Sequence, residues 1–158
     1  MDGPAGHLIA VGHDLQAIDR LRTATALRGP GVFFTGPELD RFAAALVPLQ
    51  SAAAGFAAKE ALFKALPATR RPWFWTDAEL VHDRHGAPRF RVHGELARHL
   101  RHEGLTVAVS LSHSGDYVSA VVVVSGGRPA SLPHRSRTGR TPRRVLRRIA
   151  ARPGRTPR

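Results

Sequence analysis

The stretch Phe56-Ala57-Ala58-Lys59-Glu60-Ala61-Leu62-Phe63-Lys64-Ala65-Leu66 decides the fold of this 158-residue chain. Apart from the two phenylalanines, all of its residues are Ala, Leu, Lys or Glu, which are strong helix formers. Pro67 follows and is expected to stop the helix. At about 100° per residue, the large apolar side chains fall on one arc, so the pattern predicts a core-facing helix that begins near residue 50. That arc consists of Phe56, Leu62, Phe63 and Leu66.

The charged residues of this helix allow two interpretations. Glu60 and Lys64 are four residues apart, which is the spacing of an ordinary ion pair on a helix surface. Lys59 lies inside the apolar arc, where a lysine usually buries its stem and extends its ammonium group to water. Periodicity alone therefore favours a structural role for all three.

The rest of the chain alternates short strands and helices. The run Val121-Val122-Val123-Val124 is apolar at even and odd positions alike, which predicts a strand covered on both faces. Helices against a mainly antiparallel sheet are the simplest arrangement, so the fold class is predicted to be α+β. The predicted elements are a buried strand over 8–11, helices over 19–28 and 36–46, the helix described above, strands over 76–82 and 88–92, a helix over 95–102, and strands over 105–111 and 117–124.

Composition excludes several classes of protein. The chain has no cysteine, so disulfide and thiolate chemistry are absent. No apolar run reaches the roughly 18 residues of a membrane helix, and the N-terminus lacks the layout of a secretory signal. We therefore expect a soluble, cytoplasmic protein.

The net charge of +12 is concentrated at the C-terminus. Residues 128–158 hold eleven arginines and no acid, while residues 1–127 hold 13 basic and 12 acidic residues, a net of +1. The sequence predicts a folded domain over 1–127 and a disordered, Arg-rich tail over 128–158. Such a tail is able to bind nucleic acid, an anionic membrane or an acidic protein, or is an extension without a dedicated function.

Three segments resemble one known family in the same order along the chain. The helix described above resembles the signature helix of the holo-acyl-carrier-protein synthases, the short 4′-phosphopantetheinyl transferases. Val11-Gly12-His13-Asp14-Leu15 and Ser110-Leu111-Ser112-His113-Ser114 match two further segments of that family. The resemblance covers about residues 8–125 and implies the 4′-phosphopantetheinyl transferase fold.

The resemblance implies the transfer of 4′-phosphopantetheine from coenzyme A to a serine of an apo acyl carrier protein, with release of adenosine 3′,5′-bisphosphate. Asp14 and Glu60 match the family's magnesium ligands, and magnesium prefers carboxylates, waters and substrate phosphates. Glu60 would also help to deprotonate the serine, and Lys64 would stabilise the leaving phosphate. The structural alternatives are a cap or turn role for Asp14 and the ion pair between Glu60 and Lys64.

Further residues match the family's coenzyme site. His113 and Ser114 match its Ser-His turn, and Lys59 is a candidate phosphate contact. Gly86 and Pro88 match a turn that presents backbone groups to the adenosine end of coenzyme A. A core histidine, a snorkelling lysine and an ordinary hairpin turn explain the same residues without a ligand.

The partners implied by the family are an acidic carrier protein and further copies of the chain. Arg20 matches a basic residue that helps to dock the carrier, and Arg22 and Arg28 are candidates for the same patch, with a solvated surface as the alternative. Family members of this length are homotrimers with coenzyme sites between protomers. The competing hypothesis is a non-catalytic basic binding module that acts through the tail.

The chain departs from the family pattern at three places. Gly55 stands where an arginine often precedes the signature helix, and residues 67–71 replace a glycine-rich loop. His13 replaces an apolar residue beside Asp14. These differences leave the implied chemistry in place and bear on phosphate contacts and carrier choice.

Overall fold

The computed structural model describes residues 7–24, 29–66 and 72–127. These ranges form helices and antiparallel sheets, which confirms the α+β class. The elements follow one another as β1 (His7–Ala17), α1 (Arg20–Thr23), α2 (Gly36–Ala43), α3 (Pro48–Ala65), a short 3₁₀ turn (Trp75–Asp77), β2 (Ala78–His82), β3 (Pro88–Val92), α4 (Gly94–His102), β4 (Leu105–Ser114) and β5 (Tyr117–Gly126).

Two antiparallel sheets organise the described residues. β5 lies in the centre of a three-stranded sheet with β1 and β4 on its sides, and β2 and β3 form a separate hairpin. On β5, Val122 and Val124 are buried, whereas Val121 is 37% exposed. The valine run is therefore covered on one face of this chain, and the prediction of cover on both faces is wrong for it. The other face of the sheet has no element of the described chain against it.

Helix α3 packs against the covered face of this sheet through small side chains. A Cβ atom added to Gly12 would lie 1.9 Å from the carbonyl oxygen of Ala61, so strand and helix backbones are in direct contact there. This close approach requires glycine on β1 and alanine on α3. The buried face of the helix consists of Ala53, Ala57, Ala58, Ala61, Leu62 and Ala65.

A second, aromatic cluster joins α2 to α3. Phe33, Phe34 and Phe42 are buried, with Phe56 and Trp75 packed against them. The Phe34 ring meets the Phe42 ring edge-on, with centroids 5.0 Å apart. This cluster holds α2 and the loop before it on one side of α3.

The first strand differs most from its prediction. β1 runs from His7 to Ala17 because it pairs along the whole of β5, and Leu8 and Val11 are exposed rather than buried. Asp14 lies inside the strand, opposite Ala120, rather than at its end. The cap and turn explanations of Asp14 are therefore wrong.

Helix boundaries shift in both directions. Residues 20–23 alone of the predicted first helix are helical, and residues 25–28 lie outside the described ranges. α2 ends at Ala43, so the predicted extension to Leu46 is wrong, and Leu46 is fully exposed. α3 begins at Pro48, which occupies its first turn. Phe63 is 57% exposed, because the alanine face and not the whole apolar arc meets the sheet.

Both predicted hairpins are confirmed. β2 and β3 pair in register from Ala78 with Val92 to His82 with Pro88. β2 begins two residues later than predicted because the preceding residues form the 3₁₀ turn. β4 and β5 meet at a turn in which Gly115 has φ of 53°, a value that favours glycine.

Candidate active site

Asp14 and Lys64 meet where β1 crosses the C-terminal half of α3. Lys64 Nζ lies 2.7 Å from Asp14 Oδ1 and also donates to the carbonyl oxygen of His13 at 3.2 Å. The side chain of Asp14 is 14% exposed and that of Lys64 is 48% exposed. The close contact at Gly12, two residues earlier on β1, brings these side chains together.

Glu60 lies one helical turn before Lys64 and is close enough to Asp14 for their charges to interact. Burial raises the pKa of Glu60, the negative charge of Asp14 raises it further, and the charge of Lys64 lowers it. Lys64 forms its ion pair with Asp14 and not with Glu60, so the predicted surface pair on the helix is not the observed contact. The fold thus brings together two carboxylates, and the charge of Asp14 disfavours the ionisation of Glu60.

The donor set fits a magnesium ion. Asp14 Oδ2 is buried and has no hydrogen-bond partner, which leaves one carboxylate oxygen available beside Glu60. Within residues 7–24, 29–66 and 72–127, no cluster of three or more His, Cys, Asp or Glu side chains has metal-binding geometry. Two carboxylates completed by water and substrate phosphate suit magnesium, which seldom takes an all-protein ligand shell.

Lys59 is a structural residue and neither of its predicted roles holds. Its side chain has no solvent exposure, so it does not snorkel. Its ammonium group donates to Glu38 Oε2 at 2.7 Å and to the carbonyl oxygens of Phe33 at 2.7 Å and Trp75 at 3.1 Å. Burial lowers the pKa of Lys59, while the charge of Glu38 opposes that shift. With three acceptors inside the protein, Lys59 has no exposed surface for a phosphate.

Sequence reasoning missed Glu38. Its side chain is completely buried and accepts from the backbone N–H groups of Thr35 at 2.8 Å and Leu80 at 2.9 Å, besides Lys59. The Thr-x-x-Glu spacing of residues 35–38 is the pattern of a capping box, which the structure contains. That pattern predicts the contact with Thr35, whereas the contact with Lys59 depends on the tertiary fold.

His113 does not share a pocket with Asp14, Glu60 or Lys64. It is exposed near the end of β4 and lines an open cleft of about 420 Å³. Its strand parity matches that of Leu111, as predicted, but the ring is not in the core. Ser114 follows it and is also exposed. The other lining residues are Leu46, Val47, Gln50, Ser51, Ala54, His82, Leu111, Ser112 and Val118.

The cleft and the carboxylate pair are therefore separate within one chain. None of Asp14, Glu60 and Lys64 lines the cleft, and Ala54, the α3 residue of the cleft nearest to Glu60 in the sequence, precedes it by six residues, or about 9 Å along the helix axis. Sequence reasoning gave no role to His82, which shares the cleft with His113. Burial, followed by the charge of Arg41, lowers the pKa of His82, so its neutral ring prevails around neutral pH.

The turn that contains Gly86 and Pro88 is closed by its own hydrogen bonds. Asp83 Oδ1 accepts from the backbone N–H groups of His85 at 2.9 Å and Ala87 at 3.0 Å. These bonds, the first foremost, lower the pKa of Asp83. Gly86 has φ of 82° and donates its N–H to Asp83. The hairpin therefore accounts for the Gly-x-Pro pattern without a ligand.

Two of the three candidate docking arginines lie in the described ranges. Arg20 and Arg22 are exposed on α1, which follows β1 directly, and Arg22 Nε pairs with Asp19 at 2.8 Å. Arg28 lies outside the described residues, as do residues 67–71 and the whole tail. Within the described ranges no helix is long and apolar enough to cross a membrane.

Gly55 is buried and has no room for a side chain. A Cβ atom at this position would lie 2.5 Å from Cζ of Phe42. The aromatic ring of α2 thus occupies the space that an arginine at position 55 would need. A side chain at position 55 would therefore have to displace the aromatic contact between α2 and α3.

Comparisons with known proteins agree with one another. The family model of the 4′-phosphopantetheinyl transferase superfamily matches residues 10–122. A curated holo-[acyl-carrier-protein] synthase of Clavibacter michiganensis subsp. michiganensis is 40% identical over 120 residues, which is 75% of this chain and 98% of the relative.

Solved structures give the same result. The crystal structure of holo-[acyl-carrier-protein] synthase from Neisseria meningitidis has a TM-score of 0.66 and 30% identity, and the match covers 75% of this chain and 98% of that one. A Chronobacterium ammoniagenes acyl carrier protein synthase in complex with CoA has a TM-score of 0.62 and 26% identity, with 75% and 98% covered. The chain therefore belongs to the 4′-phosphopantetheinyl transferase superfamily, within the family of holo-[acyl-carrier-protein] synthases.

Proposed function

We propose that this enzyme transfers 4′-phosphopantetheine from coenzyme A to a serine of an apo acyl carrier protein, in a magnesium-dependent reaction that releases adenosine 3′,5′-bisphosphate. The observation that carries the proposal is the meeting of Asp14, Glu60 and Lys64 at one place, although Asp14 is some fifty residues from Lys64 in the chain. The relatives are named for their action on acyl carrier protein, and one of them is described as a complex with CoA.

Asp14 and Glu60 would hold the magnesium ion. The partnerless Asp14 Oδ2 and the raised pKa of Glu60 are the features expected of a carboxylate pair that a cation completes. When bound, the ion supplies positive charge to the diphosphate and fixes its orientation.

Glu60 and Lys64 have different roles in the reaction, since one accepts a proton and the other stabilises negative charge. Glu60, directly or through a water, accepts the serine proton as the serine oxygen attacks the β-phosphate of coenzyme A in line. A bond forms between the serine oxygen and the β-phosphorus. The bond between that phosphorus and the oxygen that bridges to the α-phosphate breaks, and the bridging oxygen leaves with adenosine 3′,5′-bisphosphate. Lys64, whose side chain is 48% exposed, stabilises the negative charge that develops on the departing bisphosphate.

His113, which lines the cleft, and the neighbouring Ser114 contribute to the coenzyme site, together with the turn at Gly86 and Pro88. Because none of Asp14, Glu60 and Lys64 lines this cleft, we propose that a complete site combines the two groups from neighbouring copies of the chain. Arg20 and Arg22, exposed on the helix that follows Asp14, would meet the acidic carrier.

A homotrimer is the assembly that we propose. The uncovered face of the three-stranded sheet carries large apolar side chains in a row, which is unusual for a monomer surface. A contact between copies through this face would bury them. They are Leu8 (62% exposed), Val11 (55%), Leu15 (59%), Tyr117 (53%) and Val121 (37%), which share one face by the strand register.

The direct test is incubation with coenzyme A, magnesium and a panel of apo carriers from fatty-acid, polyketide and peptide synthesis. Intact-mass spectrometry should show addition of one phosphopantetheine to at least one carrier, and none to that carrier when its acceptor serine is changed to alanine. The competing hypothesis, a basic binding module acting through the tail, predicts binding of a partner without any gain in carrier mass. Absence of modification across the panel, with magnesium present, would reject the enzyme proposal.

A further inference from the structure

Lys59 and Glu38 form an ion pair in which neither side chain has any solvent exposure. Two aromatic rings flank the ammonium group, with Lys59 Nζ 5.1 Å from the centroid of Phe34 and 5.6 Å from that of Phe33. Every hydrogen of this ammonium group has an acceptor within the protein. Such an enclosed, fully satisfied cation holds one side-chain geometry.

The acceptors come from different parts of the chain. Glu38 belongs to α2, the Phe33 carbonyl to the loop before α2, and the Trp75 carbonyl to the turn before β2. Glu38 is itself fixed by the backbone of Thr35 and of Leu80 on β2. Lys59 therefore ties α3 to segments that lie on the opposite side from the sheet.

This attachment restrains a motion that the sheet contact does not restrain. The contact between Gly12 and Ala61 sets the distance of α3 from β1. Rotation of α3 about its own axis would leave that distance unchanged but would carry Glu60 past Asp14. With side chains the helix radius is about 5–6 Å, so a rotation of about 10° moves the Glu60 carboxylate by about 1 Å.

We propose that Lys59 is a positioning residue, which through Glu38 and the two carbonyl groups fixes the rotation of α3 and so holds Glu60 and Lys64 against Asp14. The proposal rests on the proposed function, because it concerns the carboxylate pair of the magnesium site. It assigns no contact with substrate to Lys59.

Stability alone does not require this pair. Replacing a buried ion pair by uncharged side chains of similar volume is often neutral or stabilising, whereas removing one partner leaves a buried charge. A double variant can therefore retain the fold and lose the restraint. Lys59→Met/Glu38→Gln meets this need, because Met keeps the length of Lys59 and Gln keeps an acceptor for Thr35 or Leu80.

The experiment compares this double variant with wild type and with Leu96→Ala. Leu96 is completely buried on α4 and makes none of the hydrogen bonds of Lys59 and Glu38, so its truncation lowers stability through a cavity and leaves that ion pair in place. All measurements are made about 15 °C or more below the lowest thermal midpoint, so that every variant is folded during the assay. Binding of Mn²⁺ in the presence of coenzyme A is followed by electron paramagnetic resonance, and transfer by intact mass.

We expect the double variant to lose about 10- to 100-fold in kcat, with KM for the carrier within about twofold of wild type, since a shift of 1 Å costs up to about 10²-fold. Its Mn²⁺ affinity should fall about tenfold. Leu96→Ala should keep both values. If the double variant does not fold, Lys59→Leu/Glu38→Gln provides the same comparison, because it also removes both charges and the lysine hydrogen bonds.

Wild-type kcat and Mn²⁺ affinity in the folded variant would overturn the proposal, as would an equal loss in Leu96→Ala. A wild-type protein that binds no Mn²⁺ in the presence of coenzyme A would also overturn it. If wild type binds Mn²⁺ but modifies no carrier, the proposed function fails, and the Mn²⁺ affinities still decide the role of Lys59.

Discussion

Gly12→Ala tests how closely the fold and the site depend on each other. The added Cβ would lie 1.9 Å from the carbonyl oxygen of Ala61 and 2.8 Å from the backbone nitrogen of Ala65, and both are rigid helix atoms. Since separations under 3.0 Å essentially do not occur for real Cβ atoms, β1 and α3 must separate by about 1 Å. Asp14 lies two residues along β1, and Lys64 and Glu60 lie on α3, so the same displacement opens the site.

Two magnitudes follow from this displacement. Overpacking of this kind costs about 1–3 kcal/mol, and the loss of chain freedom in the unfolded state offsets about 0.4–1 kcal/mol of that cost. A displacement of about 1 Å at the site lowers the transfer rate by up to about 10²-fold. We therefore expect the variant to be both less stable and much less active than wild type.

Urea unfolding and a carrier-modification assay measure the two effects on one sample. Gly36→Ala is the matched control, because an added Cβ there meets no atom within 4 Å and the position begins α2. The control should keep wild-type stability and rate. Wild-type stability and rate in Gly12→Ala would refute the argument that this backbone contact sets the geometry of the site.

Three further predictions concern charge. Lys64→Ala should lower kcat about 10²- to 10³-fold with little change in KM for coenzyme A, because the charge that it meets grows in the transition state; steady-state kinetics decide, and a rise in KM alone would make Lys64 a ground-state contact. The metal-free protein should lose stability as pH rises from about 4.3 through the raised pKa of Glu60, because the folded carboxyl binds its proton more tightly than the unfolded one. Glu60→Gln should remove that slope in thermal melts, and an unchanged slope would assign it to another group. A chain that ends at Gly127 should keep its transfer rate at about 0.15 M salt and lose rate with an acidic carrier only at about 0.01 M, as screening dictates; inactivity at every salt concentration would contradict this.

The signature helix and both hairpins could be predicted because their signals are local. Ala, Leu, Lys and Glu favour a helix whatever surrounds them, and Pro48 fits the first turn of one. The glycine at position 115 marks the turn of the second hairpin by its need for positive φ. The carboxylate pair could also be predicted, because the resemblance assigned both Asp14 and Glu60 to one magnesium site.

The roles of Lys59 and Phe63 could not be predicted, because they depend on which neighbours the fold supplies. The position of Lys59 within the apolar arc was visible, but its partner Glu38 is 21 residues away and belongs to another helix. Phe63 belongs to the same arc, yet the alanine face alone fits against the sheet. The full length of β1 was hidden for a similar reason, since its outer half is held by pairing with β5 rather than by burial.

The central claim is that Glu60, held beside Asp14, is required for phosphopantetheine transfer. The most direct measurement is the intact mass of an accepted carrier after incubation with coenzyme A, magnesium and Glu60→Ala protein, with a thermal melt confirming that the variant is folded. The account predicts no gain in carrier mass over a time in which wild type modifies the carrier completely. Near-complete modification by the folded variant would contradict it.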